Sequence, residues 1–230
     1  MNVRRRRVTA SVIMLLVSLV VLLLHPENYQ PTISNQDPIT EVSNSGVLAI
    51  SVLDTLEVKG RAAKTGYSRE QFGDDWASNG GCDTRNIILA RDMTDIRSNE
   101  CEVTSGTLED PYTGAVINFV RGPETSAEVQ IDHVVALSNA WQTGAAYWTY
   151  EKRVKFANDP LELLAVDGDA NQAKSDGDAA TWLPSNKPFR CQYVARQVAV
   201  KHTYGLWVTK AEYDAIQRIL QTCPTQALPQ

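Results

Sequence analysis

Residues 129–137 read VQIDHVVAL, and the reading of this stretch decides the fold. β-branched residues flank Asp132 and His133 on both sides, which predicts a strand across the whole stretch. A second strand is expected over residues 161–166 (LELLAV), with a helical-looking excursion over residues 138–157 between the two. After the second strand, Asp167-Gly168-Asp169 is a turn and helix-start signal, so a short helix should open over residues 170–174. The order is strand, insertion, strand, helix. Side chains alternate along a strand, so for Asp132 and His133 to act on one centre the dipeptide must sit at a bend or bulge.

Toward the C-terminus, Phe189, Tyr193, Val194 and Val198 recur at helical spacing up to a stop at Gly205. Thr209-Lys210-Ala211-Glu212 is a capping box that starts a further helix through Leu220. Toward the N-terminus, residues 66–126 alternate short apolar pieces with Gly, Asp, Asn and Thr, the pattern of a loop-rich half with a weak strand over 115–120. Residues 47–59 carry apolar positions at helical spacing and end on Lys59-Gly60, which predicts a helix that opens the domain. Trp141, Trp148, Trp182 and Trp207 read as core residues rather than base-stacking platforms.

Arg4-Arg5-Arg6-Arg7 precede an uncharged apolar run over residues 8–24, so residues 1–25 are expected to be a signal peptide or signal anchor that engages the membrane or the export machinery. Residues 26–45, rich in Pro, Ser, Asn and Gln, read as a linker, leaving one domain over 46–225. The protein should thus be secreted or membrane-anchored. Four cysteines in such a chain form an even set, and an oxidising compartment would pair them. Three connectivities are open, and pairing Cys82 with Cys101 and Cys191 with Cys223 closes short local loops. No CxxC pair suggests a zinc site. The net charge of −5 falls to −9 without the four N-terminal arginines, which excludes a protein that coats nucleic acid by bulk charge.

Of the three histidines, His133 is singular: it follows an Asp in a strand-like segment and precedes Asn171-Gln172-Ala173-Lys174-Ser175-Asp176 at a helix start. These two motifs resemble the strand and helix of HNH, or ββα-metal, nucleases. Three further stretches, 156–161 (FANDPL), 178–184 (DAATWLP) and 193–197 (YVARQ), are similar to exported bacterial HNH proteins related to the nuclease domain of GmrSD-type restriction enzymes. The resemblance covers about residues 66–220, with its core motif over 128–178. It implies an α+β fold, a ββα-metal core decorated by helices beside a loop-rich, disulfide-stapled N-terminal half.

The resemblance further implies an endonuclease that hydrolyses phosphodiester bonds, of DNA first and RNA as the alternative. His133 would be the general base, which suits its near-neutral pKa, and Asp132 and Asn171 would hold one divalent cation, Mg²⁺ or Mn²⁺. Lys174 would contact phosphate or the leaving group. Where the family pattern has an orienting Asn on the second strand, this chain has Glu162, which would accept a hydrogen bond from the imidazole, while Asn158 takes part of that role. Glu128 and Asp176 are expected to support the site, and Arg85, Arg91 and Arg121 are candidate phosphate grips. The rival expectation is a catalytically impaired binding or scaffold protein that keeps the fold with Glu162 in place of Asn.

Overall fold

Why the second motif starts a helix is plain from its backbone. The Asp167 side chain accepts the Ala170 amide at 2.7 Å, capping a helix over Gly168–Lys174. Gly168 is required there because a Cβ would lie 2.1 Å from the Ala127 carbonyl oxygen, while the Gly168 amide itself donates to Glu128 O. In the computed structural model, which describes residues 46–123 and 125–229, the described residues form one compact unit. The expected signal segment and linker lie outside the described residues. Among the described residues, no helix is long and apolar enough to cross a membrane.

The elements, in order, are α1 (Ala49–Leu53), β1 (Ser78–Asn79), β2 (Cys82–Asp83), α2 (Thr84–Asp92), β3 (Thr94–Asn99), β4 (Glu102–Glu109), β5 (Val116–Val120) and β6 (Val129–His133). There follow α3 (Leu137–Gln142), α4 (Tyr150–Ala157), β7 (Leu163–Asp167), α5 (Gly168–Lys174), α6 (Arg190–Tyr204) and α7 (Lys210–Leu220), with short 3₁₀ turns at Arg69–Phe72, Ala145–Tyr147 and Lys187–Phe189. The strands form three antiparallel sheets, β1-β2, β3-β4-β5 and β6-β7. The fold is α+β, and the strand, insertion, strand, helix order is as expected.

Boundaries differ from the sequence reading, and the second strand starts at Leu163 rather than at residue 161, which leaves Glu162 just before it. The first strand stops at His133 rather than continuing to Leu137, because the Val134 amide turns to Glu162 O and the Val135 amide to the Glu162 carboxylate, freeing Leu137 to start a helix. The N-terminal helix spans only Ala49–Leu53. Beyond it the chain is recruited into pairing with the α6–α7 connection, Val58 bridging Val208 and the Lys59 amide donating to Val208 O.

The β6-β7 hairpin is buried on both faces. Leu164 and Val166 face a cluster with Tyr112, Tyr193, Val194 and Ile216, whereas Val129, Ile131, Leu163 and Ala165 face Ile88, Leu89 and Phe119. Trp141 and Phe156 fill a third cluster with Phe72, supplied by the insertion between the two strands. The four tryptophans expected in the core pack there: Trp141 and Trp207 are buried, and Trp148 and Trp182 flank the clusters. Cys82 pairs with Cys101, and Cys191 with Cys223, the connectivity favoured from the sequence. The second bond joins the start of α6 to the end of α7.

Candidate active site

Pairing runs in register through the whole of β6, with Asp132 opposite Leu164 and His133 opposite Leu163, so the expected bulge is absent. Asp132 and His133 therefore project to opposite faces. Both nonetheless line one open cleft of about 790 Å³, together with Gln130, Ile131 and Asn171. Four consecutive residues of β6 border it, as expected of a cleft along the unpaired edge of a two-stranded sheet. A bulge is thus unnecessary for the dipeptide to share one space.

On the His133 face, Nε2 lies 3.0 Å from the Ala157 carbonyl oxygen. That oxygen can only accept, which assigns the ring hydrogen to Nε2 and leaves Nδ1 the acceptor in the neutral imidazole. Burial, with the nearby Arg69 guanidinium adding to it, pushes the imidazole down to about 3, so it is neutral at physiological pH. Trp76 lies nearly parallel to the imidazole, the ring centroids 5.6 Å apart and the planes 9° apart.

On the opposite face, Lys174 Nζ donates to Asp132 Oδ1 at 2.8 Å and to His133 O at 2.8 Å, and the Tyr112 hydroxyl donates to Asp132 Oδ2. The Lys174 side chain is fully buried, so its ammonium braces β6 from beneath instead of reaching a substrate phosphate. Burial pushes the Asp132 carboxyl up, opposed by Lys174 and Tyr112. Burial, then the charge of Asp132, holds the Tyr112 phenol well above its ordinary value, so it remains a donor. Asn171 Nδ2 donates to Gln130 Oε1 at 2.9 Å, which leaves its carbonyl oxygen without a protein donor among the described residues.

Glu162 is fully buried and binds the Val135 amide with both oxygens at 3.2 Å; among the described residues nothing links it to His133. The orienting acceptor is the Ala157 carbonyl, one residue before Asn158. Asn158 in turn accepts the Ala77 amide at 2.9 Å, next to Trp76. Of the three candidate arginines, Arg85 lines the cleft while donating to Val129 O. Arg91 is spent on Asp92, Pro160 O and Leu163 O, and Arg121 on Val103 O and Asn86. Asp176 sits on the cleft wall, bonded to Ser138 and Lys64, and Glu128 is exposed outside it.

Sequence reasoning missed Trp76, Tyr112, Arg69 and the Ala157 carbonyl. Each acts across a long stretch of chain, so no local pattern marks them; the buried turn at Asp110, whose carboxylate takes the Thr113 and Asp167 amides, is what carries Tyr112 beneath β6.

The family model described as GmrSD restriction endonucleases, C-terminal domain, matches residues 83–219, which hold both motifs of the cleft. The chain belongs to this family. It is also 40% identical over 182 residues, covering 78% of this chain and 86% of the relative, to an uncharacterized secreted protein of the fungus Arthroderma benhamiae. That relative lies outside the bacteria in which the resemblance had set the group. No solved structure matches the chain.

Among the described residues, no three His, Cys, Asp or Glu side chains gather so as to hold a metal ion. Of the oxygen-bearing side chains on the cleft, Asp132 and Asn171 are the carboxylate and amide next to His133, and Asp176 is taken up by Ser138 and Lys64. This lean set fits Mg²⁺, which keeps several waters and is commonly held by one or two carboxylates plus substrate phosphate. Each Asp132 oxygen retains a lone pair beyond its one protein donor.

Proposed function

We propose that this chain is an exported phosphodiester hydrolase of the HNH type, acting on DNA or RNA at the β6 cleft. The observation that carries the reading is that one cleft is lined by His133, whose neutral imidazole has no partner at Nδ1 among the described residues, by the braced Asp132 carboxylate, and by Asn171, whose carbonyl oxygen has no protein donor among them. The match to a restriction-endonuclease family supports it. Export is supported by the two disulfides, the arginine-led apolar N-terminus and the secreted relative.

In this reading β6-β7-α5 is a ββα-metal core. His133 Nδ1 takes the proton of the attacking water while Nε2–H stays on the Ala157 carbonyl, so the ring accepts the proton without turning. Asp132 and Asn171 would hold the divalent cation, Mg²⁺ or Mn²⁺. Such an ion, when bound, neutralises charge that builds on the phosphate and the leaving oxygen. Lys174 and Tyr112 fix the direction of the Asp132 carboxylate, and Gln130 fixes the Asn171 amide. An imidazole held as low as that of His133 is a weak base in the free protein. A phosphodiester anion entering the cleft opposes the Arg69 contribution to that depression, which strengthens the base once substrate is bound.

The test is cleavage of plasmid DNA and of a structured RNA by the purified protein with Mg²⁺, Mn²⁺ or Ni²⁺. His133→Ala is expected to lower the rate by about 10² to 10⁴-fold. Absence of cleavage with all three ions would overturn the reading in favour of a binding or scaffold protein. One observation favours that second reading: both Asp132 oxygens already carry protein donors.

A further inference from the structure

We propose that Trp76 is a positioning residue for His133, a role that rests on the hydrolase reading above. The hydrogen bond from Nε2 to Ala157 O holds one ring atom and leaves the imidazole free to swing about that line. A nearly parallel indole with its centroid 5.6 Å away removes the swing, so the direction of the Nδ1 lone pair is set by two constraints rather than one.

The backbone that carries the indole is itself anchored at the next residue. The Ala77 amide donates to Asn158 Oδ1 at 2.9 Å, and the Ala77 carbonyl accepts both the amide and the hydroxyl of Thr84, at 2.9 and 3.0 Å. Asn158 is held in turn by its own bond to Val154 O, and the indole packs against the cluster of Ile88 and Leu89. Both constraints on His133 thus lead to consecutive residues at the end of α4, Ala157 directly and Asn158 through Ala77 and Trp76. The orienting role that the sequence assigned to Asn158 is exerted through the indole.

The experiment compares Trp76→Leu, which keeps apolar bulk but no ring plane, with Trp76→Phe, which keeps a plane, in the full chain and with thermal melts to verify folding. Trp76→Leu is expected to lower kcat by about 10- to 100-fold with KM unchanged, Trp76→Phe to restore most of it, and Trp76→Leu to cost nothing more when His133 is already Ala. A rise in KM at constant kcat, or an equal loss in the His133→Ala background, overturns the proposal by making Trp76 a substrate contact. In parallel, with histidines labelled, the His133 ring resonances should be shifted by the indole and lose that shift in Trp76→Leu. Resonances that stay put in this variant overturn the contact. A wild type that shows the shift but cleaves nothing supports the contact while overturning the hydrolase reading.

Discussion

Two buried lysines, each paired with one carboxylate, stand in different parts of this molecule. Lys174 lies beneath the cleft, bonded to Asp132 and to the His133 carbonyl. Lys201 lies between α6 and α7, where it meets Glu212 at 2.8 Å, Asn139 Oδ1 and Trp207 O at 3.1 Å, while Glu212 also closes the capping box with Thr209. The chemistry is the same and the surroundings are not. Around Lys201 every partner belongs to helix packing, whereas the partners of Lys174 are the two adjacent residues that open onto the cleft. A buried ion pair is weak evidence for stability, because desolvation offsets much of the attraction, but its geometry is strongly enforced. What differs between the two is therefore what each enforces: a helix junction in one case, a carboxylate aimed along a cleft edge in the other.

The largest effects should come from breaking each pair in turn. Lys174→Met and Lys201→Met each leave a buried carboxylate without its ammonium and take a donor from a backbone carbonyl, and each is expected to cost about 3 to 5 kcal/mol in urea denaturation. Only Lys174→Met should also abolish cleavage when both variants are assayed at a temperature where they remain folded. Equal losses of kcat in the two would erase the distinction.

A smaller effect sharpens it. Glu162 is another buried carboxylate, with an amide but no ammonium in contact among the described residues, and burial holds it well above its ordinary value. Its proton is retained in the folded state and lost in the unfolded one, so stability should fall as pH rises above about 4.5, by at most about 1.4 kcal/mol per pH unit until the folded group ionises. Glu162→Gln should flatten that slope and leave cleavage within a few-fold, since Glu162 does not touch His133. Melting curves from pH 5 to 8 read the first expectation, and a large loss of activity would contradict the second.

The smallest effect lies at the end of α5. Ser175 adopts a φ of 51° and ψ of −127°, a region that favours glycine. Ser175→Gly should stabilise the protein by about 1 kcal/mol with the cleft unchanged.

The contrast between the lysines also marks what the sequence could disclose. Asp132, His133 and Asn171 were legible because their motifs are local: a β-branched run around the dipeptide and a capped helix start 38 positions after the histidine. The capping box at Thr209, the core tryptophans and both disulfides were legible for the same reason. What each polar group would touch was not. Lys174 was expected at the substrate phosphate, and only β6 laid across it makes it a buried brace for Asp132. Glu162 was expected on the second strand to orient the imidazole, yet it precedes β7 and binds the Val135 amide, because the first strand ends at His133 rather than Leu137. Tyr112 and Trp76 come from the loop-rich half, where periodicity carries little signal.

The hairpin itself has a consequence for how the site comes into being. β6 and β7 are hydrogen-bonded neighbours, but all of α3 and α4 lies between them in the chain. Closing so long a loop costs entropy that the strand pairing must recover, and such non-local contacts form late relative to helices. His133 also needs its acceptor from the far end of that loop. The cleft is therefore a late product of folding, and a nascent chain released only through the end of β6 would carry the Asp132-His133 dipeptide with Trp76 and Tyr112 but without Ala157, Lys174 and Asn171.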